Sequence, residues 1–297
     1  MSESVLTPRE TQDRLFVKIA LKSRQNDIIS GVQRHLVFAS FCELFIELIT
    51  FVKGHEQALT SVVISLKSNS PENQLLARLS QTQYGELLSR LRPIHLKSGQ
   101  VVHEPRAPVE YAYFPVSGVL SAVVVLSTGN MIEVATVGRE GATGLPAFVD
   151  LQESPHRVFC QIPGEALRIE VNQLQKASLA EGPFRKMLFS YQAAFFYQVS
   201  QSVACNGTHH LEERCCRWLL MTHDRVDADE IELTHEFLAA MLGVRRSSVT
   251  EALQVLRRKG LIDYERGRIV VRDRKGMEAA SCECYQAVIN EYDRLLK

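Results

Sequence analysis

From Lys97-Ser98-Gly99 onward the sequence breaks into short apolar runs, each too brief for a helix and bounded by glycine, proline or a polar turn. The runs are VVH at 101, YAYF at 111, VLSAVVVL at 119, MIEVATV at 131, RVFCQI at 157 and EALRIEV at 165. Turn signals fall at Gly118, Ser127-Thr128-Gly129-Asn130, Gly138, Gly141, Gly144 and Pro163-Gly164. Strands punctuated by turns about every 8–12 residues predict an antiparallel sandwich or barrel. Ile132-Glu133-Val134-Ala135-Thr136-Val137 alternates as a half-buried strand should.

Helical texture lies on both sides. Leu75, Leu76, Leu79, Leu87, Leu88 and Leu91 recur at helical spacings, and Pro93 is expected to end that helix. A longer helix is expected from about Pro183 to Ala204, with proline in the first turn, where its missing N–H would be unpaired anyway. Leu188, Tyr191, Phe195, Gln198 and Ser202 step along one seam, while Phe184, Phe189, Phe196, Tyr197 and Val203 make other faces apolar. A helix apolar nearly all round is covered on more than one side. The cover is either one chain's core, or the β-domain on one face and a second subunit on another.

The chain has 297 residues, a length suited to about two domains. Its 34 basic residues balance 34 acidic ones, which excludes a uniformly basic nucleic-acid coat but not a local patch. Seven cysteines, an odd number, argue against a disulfide framework. The start, Met1-Ser2-Glu3-Ser4, has no signal-peptide pattern, so a reducing cytoplasm is the expected setting. Residues Leu36 to Val52 (LVFASFCELFIELITFV) are mostly apolar, but Glu43 and Glu47 share one helix face and would be costly in hydrocarbon. An amphipathic helix is expected there rather than a membrane span. Lys53 to Pro71 then reads as a linker.

The stretch Leu233 to Ile262, LTHEFLAAMLGVRRSSVTEALQVLRRKGLI, carries the chemistry. Thr234 suits an N-cap, and Glu236 falls in the first turn, where the helix dipole favours a carboxylate. Leu238, Met241 and Leu242 form one apolar face, and Gly243 supplies the turn. In the second helix Val249, Ala252, Leu253 and Leu256 lie on one side. The other side carries Arg246, Ser247, Thr250, Glu251, Gln254, Arg257 and Arg258. A recognition helix in a DNA major groove needs that division, because base edges are read by side-chain donors and acceptors. From Arg245 to Lys275 ten basic residues face four acidic ones, a local charge of 10 − 4 = +6 in a neutral chain. Leu261 to Tyr264, a turn at Glu265-Arg266-Gly267-Arg268, and Ile269 to Val271 predict a β wing with arginines at its tip.

On these residues the sequence resembles the Crp/Fnr family of bacterial transcription regulators over roughly residues 72 to 275. The helix-turn-helix matches without a gap, and VEYAYFPVSGVLSAVVVLSTGNMIEVATVGREG matches the sensor domain in layout. The resemblance implies an α+β architecture. An N-terminal extension (1–70) would precede an antiparallel, jelly-roll-like β-roll of the cyclic-nucleotide-binding type (71–182). A dimerisation helix (183–207), a winged helix-turn-helix (208–275) and a C-terminal helix (276–297) would follow. It favours the two-sided reading of the long helix. It further implies a homodimer on double-stranded DNA with an inverted-repeat operator, and RNA polymerase as a possible partner. The implied DNA-contacting set is Arg245, Arg246, Ser247, Ser248, Thr250, Glu251, Gln254, Arg257, Arg258, Arg266 and Arg268. Arg246 falls on the family's base-reading arginine, whereas Ser247 and Glu251 stand where glutamate and arginine are common, which should change the half-site. Arg245 replaces the usual serine cap, so the helix is expected to begin on Ser247. The alternative is a signalling adaptor whose winged helix docks a protein.

Cyclic-nucleotide binders of the family carry Gly-Glu-Leu and Arg-Ser or Arg-Thr. The counterparts here are Gly144-Leu145-Pro146 and Arg157-Val158, without carboxylate or hydroxyl, so an effector pocket near Gly144, Leu145 and Arg157 is not expected to take a cyclic nucleotide. Only Cys42 precedes Cys160, so the family's iron–sulfur cluster is not expected. No metal is expected either. Cys282 and Cys284, at i and i+2 of an expected helix, should point apart, and Asn206-Gly207 should break the helix between Cys205 and His209. Cys215 and Cys216 should be one core and one surface residue, and His209-His210 should cap the helix that follows. His103-Glu104 and His235-Glu236 each begin an HExxH, but Ala107 and Ala239 replace the second histidine. No P-loop or nucleophile elbow is present, so no enzyme is expected.

Overall fold

Asn73 shows how the described part of the chain begins. Its buried amide donates to the carbonyls of Pro115 (2.8 Å) and Gly141 (2.9 Å), and its side-chain oxygen accepts from the Leu75 and Leu76 amides. One side chain thus starts a 3-10 turn, Leu76–Arg78, and ties it to the β-domain. The protein is described by a computed structural model for residues 72–296 apart from 145, 147–150 and 179–181. The Leu36 to Val52 segment lies outside the described residues; within them no helix is long and apolar enough to cross a membrane. The helix expected over Leu75 to Leu91 is in fact that turn followed by α1 (Gln81–Leu88).

The strands are β1 (Arg92–Leu96), β2 (Val101–His103), β3 (Tyr111–Pro115), β4 (Val119–Val125), β5 (Met131–Val137), β6 (Arg157–Ile162) and β7 (Gly164–Glu170). They form two antiparallel sheets, ordered β1-β7-β3 and β2-β6-β4-β5. Each apolar run is a strand. The unexpected one is β1, RPIHL, where Pro93 had suggested only a helix stop. As an edge strand, β1 tolerates a residue without an N–H. Leu96, Tyr113 and Ala166 of one sheet meet Leu120, Ala122, Ala135, Val137, Val158 and Cys160 of the other, filling the roll.

After α2 (Val171–Ser178), α3 (Pro183–Thr208) runs along the β-roll. It passes its expected end near Ala204 and continues through Asn206 and Gly207; a single exposed glycine costs only about 1 kcal/mol in a helix. Its inner face buries Leu188, Tyr191, Ala194, Gln198 and Ser202. Tyr191 donates to the Ala142 carbonyl at 3.0 Å, and its ring leaves no room for a Cβ on Gly141.

The C-terminal part comprises α4 (Leu211–His223), β8 (Glu230–Glu232), α5 (His235–Leu242), α6 (Arg246–Arg258), β9 (Ile262–Glu265), β10 (Arg268–Val271), α7 (Arg274–Ala280) and α8 (Cys284–Leu296). His210, not His209, caps α4, and the Glu213 carboxylate accepts from the His210 amide at 3.0 Å. Cys215 and Cys216 are both buried, against the expectation of one surface residue: α4 packs on α6, α7 and α8. The tail is not one helix. It breaks at residues 281–283, and α8 then lies back along α3 of the same chain, with Tyr292 donating to Gln198 at 2.8 Å.

Candidate nucleic-acid interface

Local chemistry builds the helix-turn-helix. Thr234 is extended and its hydroxyl accepts from the Phe237 amide at 3.1 Å, starting α5. Gly243 ends it at φ 66°, ψ 35°, a conformation that favours glycine. A Cβ there would also sit 3.2 Å from Ile132 of β5, because the turn rests on the β-roll. The second helix, α6, starts at Arg246 rather than Ser247. Arg245 is its N-cap residue without a side-chain cap, and the Val249 amide already bonds to the Arg245 carbonyl, which completes the first turn.

The structure separates the two faces of α6. Val249, Leu253 and Leu256 are fully buried and Ala252 nearly so. Arg245, Arg246, Ser247, Glu251, Gln254, Arg257 and Arg258 are exposed. Ser248 and Thr250 are half-buried, and Thr250 is already engaged: its hydroxyl donates to the Arg246 carbonyl and shares a 3.0 Å hydrogen bond with His235 Nδ1. His235 also stacks edge-on against Tyr264 of β9, ring centroids 4.9 Å apart, so it joins both helices to the wing. Burial, helped by the nearby Arg246, holds this histidine below its usual pKa, in its neutral form. Nothing in the sequence flagged that role.

The wing has a third strand that sequence reasoning missed. The sheet order is β8-β10-β9, and β8 is only three residues, too short to leave a periodic signal. The hairpin tip places both Arg266 (φ 49°) and Gly267 (φ 80°) in the left-handed region, as a tight two-residue turn requires. Arg266 projects there with its side chain 90% exposed. Arg257 lies 3.0 Å from Asp263 and over the Tyr264 ring, and Arg268 lies 3.1 Å from Glu230. These pairs tie Arg257 of α6 and Arg268 of the wing to neighbouring carboxylates and partly offset the local charge.

The match of this segment to the family model described as "Crp-like helix-turn-helix domain" spans residues 213–280. The chain therefore carries a Crp-like helix-turn-helix domain. The global nitrogen regulator of Synechococcus elongatus is 23% identical over 213 residues, covering 67% of this chain and 93% of that protein. FixK2 from Bradyrhizobium japonicum superposes with a TM-score of 0.57 at 19% identity, over 65% of this chain and 98% of that one. A Crp/Fnr-family transcriptional regulator from Thermus thermophilus superposes with a TM-score of 0.53 at 21% identity, over 64% of this chain and 98% of that one. The β-roll, long helix and Crp-like domain thus share the fold of Crp/Fnr regulators.

The Crp-like domain docks on the β-roll of its own chain. Phe237 of α5 sits edge-on between Trp218 of α4 and Phe159 of β6, at 6.5 and 6.1 Å. The Trp218 indole N–H donates to Glu133 of β5 at 2.7 Å, and the Ser121 hydroxyl donates to the same carboxylate at 2.6 Å. Burial at this contact pushes the Glu133 carboxyl up to about 7, against the opposing pull of those two hydrogen bonds and of Arg217.

A cavity of about 800 Å³ lies between the β-roll and α3. Gly144 lines it, Leu145 is outside the described residues, and Arg157 does not line it. Arg157 is instead paired with Glu104 at 2.9 Å. The walls are largely apolar (Ala122, Val137, Val158, Phe195, Phe196, Val199), and Arg106 supplies a cation. His103 is held neutral, its pKa pushed down to about 4 by burial, with Nε2 3.0 Å from the Thr143 hydroxyl.

Away from the interface, Cys205, His209, Cys282 and Cys284 converge. Both expectations that kept them apart are overturned. α3 does not break at Asn206-Gly207, and Cys282 precedes the first residue of α8, so no helical i, i+2 geometry separates it from Cys284.

Proposed function

We propose that the protein is a homodimeric, sequence-specific DNA-binding transcription regulator of the Crp/Fnr type. The observation that carries this reading is α6, whose apolar face is sealed in the domain while its arginines, Ser247, Glu251 and Gln254 face outward. Arg246 suits the O6 and N7 acceptors of guanine, and Glu251 the amino group of cytosine. Arg245, Ser248, Arg258, Arg266 and Arg268 suit phosphate positioning. Thr250 supports the helix rather than reading a base.

The dimer reading is supported by the outer face of α3. Phe189, Phe196 and Val203, seven residues apart, are 41%, 71% and 66% exposed, an apolar stripe of coiled-coil spacing. A second copy laid along it would set two recognition helices about 34–36 Å apart on an inverted repeat. The cavity borders the same helix through Phe195, Phe196 and Val199, so a ligand filling it would bear on the subunit seam. The effector in this reading is not a cyclic nucleotide, a reading supported by Arg157, which pairs with Glu104 and does not line the cavity. No iron–sulfur cluster or catalytic step enters. RNA polymerase is the further partner an activator would need, and the cytoplasm is the matching compartment.

Two substitutions test the reading on duplexes that carry or lack the preferred half-site. Arg246→Ala is expected to cost roughly 1–3 kcal/mol and relax discrimination at one base pair, while Arg266→Ala weakens binding to all duplexes and lowers the salt slope by about one. Equal losses on every duplex from both variants would remove Arg246 from base reading.

A further inference from the structure

The last turn of α3 and the break before α8 gather four soft donors: Cys205, His209, Cys282 and Cys284, with ligand atoms all within 4.8 Å of one another. The sulfurs of Cys205 and Cys282 are 3.5 Å apart, and the Cys284 sulfur is 3.5 Å from His209 Nδ1. Donors around a tetrahedral zinc ion are separated by about 3.5–3.8 Å, as bond lengths near 2.3 Å for sulfur and 2.0–2.1 Å for nitrogen require. Small side-chain adjustments would close these four groups on one ion.

The surroundings fit a closed site. Cys205, Cys282 and Cys284 are buried, and the His209 side chain is 18% exposed. His209 Nε2 lies 3.2 Å from the Glu283 carboxylate, which fixes Nδ1 as the free donor nitrogen, the outer-shell arrangement of metal-bound histidines. Gln201 Nε2 donates to the Cys284 sulfur at 3.0 Å, a contact that suits a thiolate. Thiol hydrogen bonds alone are weak and do not account for three sulfurs and an imidazole packed together.

We propose that Cys205, His209, Cys282 and Cys284 form a tetrahedral Zn²⁺ site of the Cys3His type, pinning the C-terminal end of α3 to the start of α8. On binding, the three thiols release their protons to solvent and the neutral imidazole coordinates through Nδ1. Four protein ligands leave no open position, so the role is structural. The site lies where the long helix gives way to the Crp-like domain, and metal occupancy there would fix that joint.

The test uses the full chain, reduced, stripped with a chelator and titrated with Co²⁺ and then Zn²⁺. The expected result is about one Co²⁺ per chain with tetrahedral ligand-field bands and thiolate-to-cobalt charge transfer, both bleached by Zn²⁺. Cys282→Ser should weaken the charge-transfer band, and Cys160→Ser should leave it intact. Glu283→Gln, an exposed change compatible with folding, should weaken affinity roughly 10–100-fold. Fully reduced wild-type chain that takes up no Co²⁺, or gives an octahedral spectrum without sulfur charge transfer, overturns the proposal. So does a metal-free Cys205–Cys282 disulfide in the chain as isolated.

Discussion

On α6, thirteen consecutive residues carry both the fold and the outward surface: Val249, Ala252, Leu253 and Leu256 anchor the helix, and the polar residues between them face out. The cavity is assembled differently. His103, Thr143, Val158 and Phe195 come from β2, the segment after β5, β6 and α3, and none lies near another in sequence. Where one element both packs and presents, the period of the sequence shows its chemistry directly. Where a site is made by bringing separate elements together, each residue looks ordinary until they meet.

The comparison breaks most visibly if α6 is not anchored as described. Leu253→Ala should cost about 2–5 kcal/mol of stability, read as a shift of the urea midpoint, because Leu253 has no access to solvent. A change near zero would mean that the dry face is not the domain's core. Next comes the outer face of α3. Phe196→Glu should leave the circular dichroism spectrum unchanged and convert a dimer to monomers in sedimentation. A dimer that persists would place the subunit seam elsewhere.

A smaller effect sharpens the contrast at the docking contact. Trp218 is the chain's sole tryptophan, and its indole donates to Glu133. The Glu133 pKa is raised from 4.5 to about 7 by burial, so the docked arrangement holds a proton that the undocked one releases. Docking is therefore strongest below about pH 4.5 and loses stability as pH rises to about 7, with no further loss above. Trp218 emission should shift to the red across that window, and Glu133→Gln should remove the pH dependence. An identical titration in the variant would assign the shift to another group.

The same division explains what was legible. The six apolar runs, Thr234, Gly243 and the wing hairpin were visible because each depends on local periodicity or a turn residue. Strand β1 was hidden because Pro93 reads as a breaker unless the strand is known to be an edge. The Thr250 contact with His235 was hidden because helical spacing cannot show that His235 would approach its hydroxyl. Cys215-Cys216 looked two-faced because part of α4's cover, α7 and α8, lies far along the chain. The cysteine–histidine cluster was dismissed on two local rules that the chain does not obey, a helix break at Gly207 and an unbroken tail helix.

Selection of the purified protein against a randomised-duplex pool, repeated at several salt concentrations, tests the central claim most directly. The account predicts enrichment of a two-fold symmetric site with half-sites about one helical turn apart, bound with an affinity that falls steeply with salt. No enrichment, together with no non-specific binding at low salt, would contradict it and leave the winged helix as a surface for protein.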